Sequence, residues 1–128
     1  MAAVIHLDTH VVVWLFLGRL DLLSEKARAA IDGNDVCISP MVRLETCYLA
    51  EIGRLTVAGD TVIDELKRAI GLQISSASFA ETVDRALEQT WTRDPFDRLI
   101  AAQALVENAP LLTRDRSIRD HCELAIWD

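Results

Sequence analysis

The chain has 128 residues, is 51% hydrophobic and holds only 5 Gly and 3 Pro, which predicts one helix-rich globular domain, 1–128, without a disordered tail, low-complexity tract or internal repeat. A net charge of −7 argues against a nonspecific polyanion binder, which carries a basic surface. The longest apolar run, Val11 to Leu17, falls well short of the roughly 20 residues of a membrane span and follows no basic leader, so a cytoplasmic protein with no membrane contact is expected.

A buried strand is predicted at about residues 3 to 7, then an apolar helix at about 9 to 18 ending near Gly18. Ser24 reads as the N-cap of a helix through Ile31, with Asp32-Gly33-Asn34-Asp35 as its stop and turn. Val36-Cys37-Ile38 is a short strand, and Ser39-Pro40 supplies a cap and a first-position proline for a helix to Ile52, closed by Gly53. Asp60 or Thr61 opens a helix to Ile70, Gly71 breaks it, and Leu72-Gln73-Ile74 is a weaker strand. Ser78 opens a helix to about Gln89, and Asp94-Pro95 opens another to about Asn108. Leu111-Leu112 forms a strand, a short helix covers about 116 to 121, and Leu124 to Trp127 ends the chain as a strand. Strands separated by helices predict an α/β fold, a mainly parallel sheet covered on both faces as an α/β/α sandwich.

Four carboxylates, Asp8, Glu45, Asp97 and Asp115, fall in apolar contexts. A carboxylate among residues that want burial must be paired, protonated or bound to a cation, and four of them suggest a shared metal ion. In open parallel sheets ligands bind beyond the carboxyl ends of the strands. Asp8 directly follows the first strand and Asp115 comes just after Leu111-Leu112, although each also reads as a helix N-cap. Glu45 lies on the stripe Met41, Leu44, Tyr48 and Ile52, where the alternative to a ligand is a buried ion pair or a snorkelling side chain. Asp94 suits an N-cap before Pro95. Asp97 shares a face with Ile100, Ala101 and Ala104, so Asp97 is the favoured site residue and Asp94 a supporting acid.

Other chemistries find less support. Cys37, Cys47 and Cys122 are odd in number and widely spaced, and they read as inert core thiols; with no Cys-x-x-Cys and no close Cys/His pair, structural zinc is not expected. His6, His10 and His121 lack metal-binding or catalytic spacing and read as packing or hydrogen-bonding residues. There is no Gly-x-Ser-x-Gly, phosphate-binding glycine loop or Gly-x-Gly-x-x-Gly, which removes the main support for serine hydrolase, NTPase and dinucleotide enzymes. Arg93, Arg98, Arg114, Arg116 and Arg119 leave room for a basic rim beside the acids.

The ordered set of segments resembles the PIN-domain ribonucleases, specifically VapC-type toxins of bacterial type II toxin–antitoxin pairs. It consists of Leu7-Asp8-Thr9-His10 before an apolar helix with Trp14; Glu45 on the helix after Ile38-Ser39; Arg93-Asp94-Pro95-Phe96-Asp97-Arg98-Leu99-Ile100-Ala101-Ala102-Gln103-Ala104; and Leu112-Thr113-Arg114-Asp115. One departure is that Arg43-Leu44-Glu45-Thr46-Cys47-Tyr48 lacks the Trp-Glu-Ile pattern of many relatives. The resemblance implies a sheet of about four or five parallel strands and RNA phosphodiester hydrolysis at Asp8, Glu45, Asp97 and Asp115 holding Mg²⁺ or Mn²⁺. It also implies a VapB-like antitoxin and commonly a homodimer. Asp8 and Asp97 are then expected to touch the metal, and Glu45 and Asp115 to bind it or orient its waters. Thr9 and Thr113 would hydrogen-bond a carboxylate or water, and Arg98, Arg114 and Arg116 would meet the RNA backbone. Two alternatives stay open: a catalytically inactive PIN-like protein-binding module, and an aspartate-based phosphotransferase with its nucleophile at Asp8.

Overall fold

Parallel strands need long crossovers, and every pair of successive strands in this chain is joined through at least one helix. A computed structural model describes residues 3–128; Met1 and Ala2, the first residues of the predicted domain, lie outside them. The elements are β1 (Val4–Leu7), α1 (Thr9–Leu17), a 3₁₀ turn at Leu20–Leu22, α2 (Glu25–Gly33), β2 (Asp35–Ile38), α3 (Pro40–Glu51) and α4 (Gly59–Ile70). They continue as β3 (Gln73–Ile74), α5 (Phe79–Leu87), α6 (Pro95–Glu107), β4 (Leu111–Leu112), α7 (Arg116–His121) and β5 (Ala125–Ile126). All five strands pair in parallel, in the order β3-β2-β1-β4-β5. With its seven helices this is the α/β/α sandwich that the alternation predicts.

The order reverses at β1: connections to β2 and β3 step one way across the sheet, those to β4 and β5 the other. Such a reversal opens a crevice at the carboxyl ends of the two central strands. Here those strands are β1 and β4, held in register by Leu7 opposite Leu112. Beyond that pair, the Asp8 N–H donates to the Leu112 carbonyl at 3.0 Å, so the chain enters α1 at the crevice itself.

The core gathers around the strand ends. Leu7, Ile38, Leu111 and Leu112 are fully buried together with Val11 and Val12 of α1, Ile63 of α4, Ile100 of α6 and Ile118 of α7; each such side chain contributes about 1.5–3 kcal/mol relative to exposure. No helix among the described residues is long and apolar enough to cross a membrane. Local signals place most boundaries. Ser24 Oγ accepts from Ala27 N at 3.0 Å and Ser39 Oγ from Met41 N at 3.1 Å, as their cap positions predict. The helix expected to stop at Ile31 runs on through Gly33, and Asn34 then folds back to donate to the Ala30 carbonyl.

The sequence expectation for the buried face of α3 fails. The stripe of Met41, Leu44, Tyr48 and Ile52 is not the buried face of its helix: Leu44, Tyr48 and Ile52 are 54%, 44% and 49% exposed. The face turned to the core carries Val42 and Thr46, with the Thr46 hydroxyl satisfied by the Val42 carbonyl at 2.7 Å. Periodicity shows that α3 has an apolar stripe, but a threonine four residues from a valine can mark the packed side just as well, and the neighbouring α4 decides between them. Cys47 is half-buried beside Gly59 of α4 rather than in the core, whereas Cys37 and Cys122 are buried as expected.

Candidate active site

Two threonines tie three of the four predicted acids, Asp8, Glu45 and Asp115, into one network. Asp8 is buried, and its two oxygens are held from different elements: Oδ1 accepts from Thr9 N at 2.7 Å and Oδ2 from the Thr113 hydroxyl at 2.6 Å. The same Thr113 oxygen accepts from Asp115 N at 3.0 Å, and the Thr9 hydroxyl donates to Glu45. Glu45, Thr9, Asp8, Thr113 and Asp115 therefore form a continuous chain of hydrogen bonds across the ends of β1 and β4. Both threonines are fully buried, so the hydroxyls are fixed rather than shared with solvent.

The capping alternatives for Asp8 and Asp115 coexist with this arrangement. Asp8 caps α1, Asp115 caps α7 through Ile118 N at 2.9 Å, and Asp94 caps α6 through Phe96 N at 2.8 Å. A cap uses one lone pair of a carboxylate that has about four acceptor sites, leaving the others free. Capping also orients the group, which prepares it to face a ligand.

The acids lie close enough for their charges to act on one another. Burial pushes the Asp97 carboxyl up to about 7, and the charges of Asp94, Asp8, Asp115 and Glu45 add to the shift. Burial likewise raises Glu45, opposed by the Thr9 hydrogen bond and reinforced by Asp8 and Asp94. Asp8 is raised by burial against the hydrogen bonds from Thr113 and Thr9. Among the described residues no ion pair involves Asp8, Glu45, Asp97 or Asp115. Like charges gathered without a counter-ion favour protonation or a bound cation.

The donor set fits a hard divalent ion, because carboxylate oxygens are the ligands that Mg²⁺ and Mn²⁺ prefer. The oxygens are spread out: among the described residues, the group of three His, Cys or carboxylate donors within 4.8 Å of one another lies elsewhere, at His6, Cys37 and Glu107. That openness suits Mg²⁺, which keeps several waters and takes one or two carboxylates directly.

The basic candidates are placed unequally. Arg114 lies over the Trp14 ring, 5.9 Å from its centroid, in a pocket of about 300 Å³ with Asp8, His10 and Asp115. Arg116 is exposed on a neighbouring groove with Lys26 and Arg119. Arg98 is half-buried, and its Nε donates to the Thr92 carbonyl at 2.8 Å, which ties down the loop before α6. His10, read from sequence as a packing residue, is instead exposed at this pocket, and its charge lowers both Asp8 and Glu45. Its spacing from Trp14, one helical turn, was the available signal: the two rings sit 6.0 Å apart on one face of α1.

Residues 5–124 match the PIN domain family. The chain belongs to the PIN-domain family. Ribonuclease VapC22 of Mycobacterium tuberculosis is 31% identical over 121 residues, covering 90% of this chain and 89% of that protein. The PIN fold is also seen in a VapBC2 structure from Rickettsia felis bound to a DNA fragment from their promoter, with TM-score 0.70 and 23% identity over 98% of this chain and 99% of that one. A toxin–antitoxin complex from Klebsiella pneumoniae matches with TM-score 0.65 and 19% identity, over 95% of each chain. At these identities the two structures speak for the architecture. In this PIN domain the crevice at the ends of β1 and β4 is where Asp8, Thr113 and Asp115 converge.

Proposed function

We propose that this PIN domain is a metal-dependent endoribonuclease, the toxin of a bacterial toxin–antitoxin pair, with Asp8, Glu45, Asp97 and Asp115 as its catalytic acids. The observation that carries the reading is a group of four carboxylates whose charges act on one another, three of them tied through Thr9 and Thr113, with no ion pair to any of the four among the described residues. The 31% identity to a VapC ribonuclease supports it, as does the likeness of fold to toxin–antitoxin complexes.

Mg²⁺, or Mn²⁺ in its place, would supply charge neutralisation at the phosphoryl and leaving oxygens and lower the pKa of a water for attack. Asp8, held from both sides, and Asp97 are the residues proposed to contact the ion. Glu45 and Asp115 hold it or orient its waters, and Asp94 supports them from the start of α6. Thr9 and Thr113 fix the carboxylate rotamers. Arg114, Arg116 and Arg98 are proposed to meet phosphates of the RNA, while His10 and Trp14 offer ring faces on which a base can stack.

A VapB-like antitoxin fits the surface as well as the charge. Leu44, Tyr48 and Ile52 form an exposed apolar stripe on α3 next to the acids, the kind of patch that marks a protein interface. An acidic groove suits a basic tail. We further propose a homodimer working in the cytoplasm.

The test is cleavage of RNA by the full chain in Mg²⁺. Native protein should cut, chelator should stop it, and Asp8→Asn and Asp97→Asn should each lose at least about 100-fold in rate, more than is typical for removing a partner of a metal ligand. Equal rates in native protein and variants, or no cleavage by any of them, would leave the inactive binding module as the better account.

A further inference from the structure

Two residues back along β1 from Asp8, a second set of donors meets with no part in the acid network. His6 and Cys37 are register partners on the adjacent strands β1 and β2, so their side chains stand side by side on one face of the sheet. Glu107, the last residue of α6, turns its carboxylate in over them: one oxygen pairs with His6 Nε2, the other accepts from the Ser75 hydroxyl. The imidazole nitrogen, the sulfur and a carboxylate oxygen all lie within 4.8 Å of one another. His6 is 1% and Cys37 6% exposed, giving a buried floor, while the Glu107 side chain is 26% exposed at its rim. A surface groove of about 540 Å³, lined by Val4, Cys37, Gln73, Ser75, Glu107 and Pro110, opens onto the cluster.

We propose that His6, Cys37 and Glu107 form a zinc-binding site with three protein donors and a fourth position open to the groove. Imidazole, thiolate and carboxylate are the ordinary ligands of this ion, at about 2.0–2.3 Å, and three protein ligands with one open position is a standard arrangement. Donors at those lengths around a tetrahedral ion stand roughly 3.3–3.8 Å apart, so an ion would part the Glu107 carboxylate from His6 Nε2, its hydrogen-bond partner, and sit between them. Ser75 holds the carboxylate from behind, as the partners of ligating carboxylates do. Sulfur and imidazole do not suit Mg²⁺, so the two sites would take different ions. They are also separate in space: Asp97 and Glu107 lie ten residues apart on α6, roughly 15 Å of helix. An ion here would clamp β1, β2 and the far end of the helix that presents Asp97.

Cobalt(II) replaces zinc in such sites and reports a thiolate ligand by a near-ultraviolet charge-transfer band. Metal-free full-length protein titrated with Co²⁺ should develop that band at one ion per chain, and Zn²⁺ should abolish it and raise the melting temperature. Cys37→Ala should remove the band. Glu107→Gln, at a partly exposed position that leaves the fold intact, should weaken binding about 10–100-fold, whereas Cys47→Ser and Asp97→Asn should leave the titration unchanged. Absence of the band in native protein, or a band that survives Cys37→Ala or is undiminished in Glu107→Gln, would overturn the site and leave His6 and Glu107 as a part-buried hydrogen-bonded pair.

Discussion

Thr113 holds a position that no charge could fill. Its hydroxyl bonds both Asp8 and the backbone of Asp115, and it is fully buried, so its removal cannot be repaired by solvent. Thr113→Val keeps the shape and deletes the oxygen. The Asp8 carboxylate then loses one of its two fixed donors and the Asp115 N–H its acceptor. We expect a loss of about 1–3 kcal/mol in stability and a fall in RNA cleavage of about 10–100-fold, checked by urea unfolding and initial rates. An unchanged cleavage rate in a stable variant would show that Asp8 needs no such restraint. The sequence points to the threonine as a hydrogen-bond donor to a carboxylate or water without saying which, because the bond to Asp8 joins residues 105 positions apart.

Helix α3 shows how element-level choices are made outside the element. Its start is local, set by Ser39 and Pro40, but its buried face is set by α4, which approaches so closely that a Cβ on Gly59 would stand 2.5 Å from the Cys47 Cα. Backbone cannot move aside as a side-chain tip can. Gly59→Ala should therefore cost about 1–3 kcal/mol by urea midpoint. Gly33→Ala at the end of α2, where a Cβ meets nothing within 4 Å, should be neutral or slightly stabilising. A harmless Gly59→Ala would mean that α3 and α4 separate at little cost. This contact also explains why α3 turns Leu44, Tyr48 and Ile52 outward: packing at Cys47 and Val42 leaves the other stripe exposed.

At the scale of the whole molecule, the acid cluster ties stability to pH. Asp97 titrates near 7 in the folded chain, well above the ordinary 3.8 of an aspartate, and Asp8 and Glu45 shift in the same direction. Between these two values the folded state binds more protons than the unfolded one, so stability falls as pH rises from about 4 to about 7 and then levels off. A divalent ion held by the ionised acids, as proposed, would offset the loss. In chelator the melting temperature should drop from pH 5 to pH 7.5, and the gain from added Mg²⁺ should be larger at pH 7.5 than at pH 5. A gain that does not grow with pH would show that the ion is not binding at these acids.

What the sequence alone determined follows from interactions a few residues long. Caps at Ser24, Ser39, Asp94 and Asp115 join positions two or three apart, and alternating strands and helices bring the parallel sheet and its crevice with them. Asp8 and Asp115 could thus be placed at strand ends from their neighbours alone. Tertiary structure decided whatever depends on distant segments meeting: which stripe of α3 is buried, the bridging of the acids by Thr9 and Thr113, the exposure of His10 at the pocket, and the meeting of His6, Cys37 and Glu107. These pairings leave no period or spacing in the chain, because strand register and helix packing, rather than neighbouring residues, bring them together.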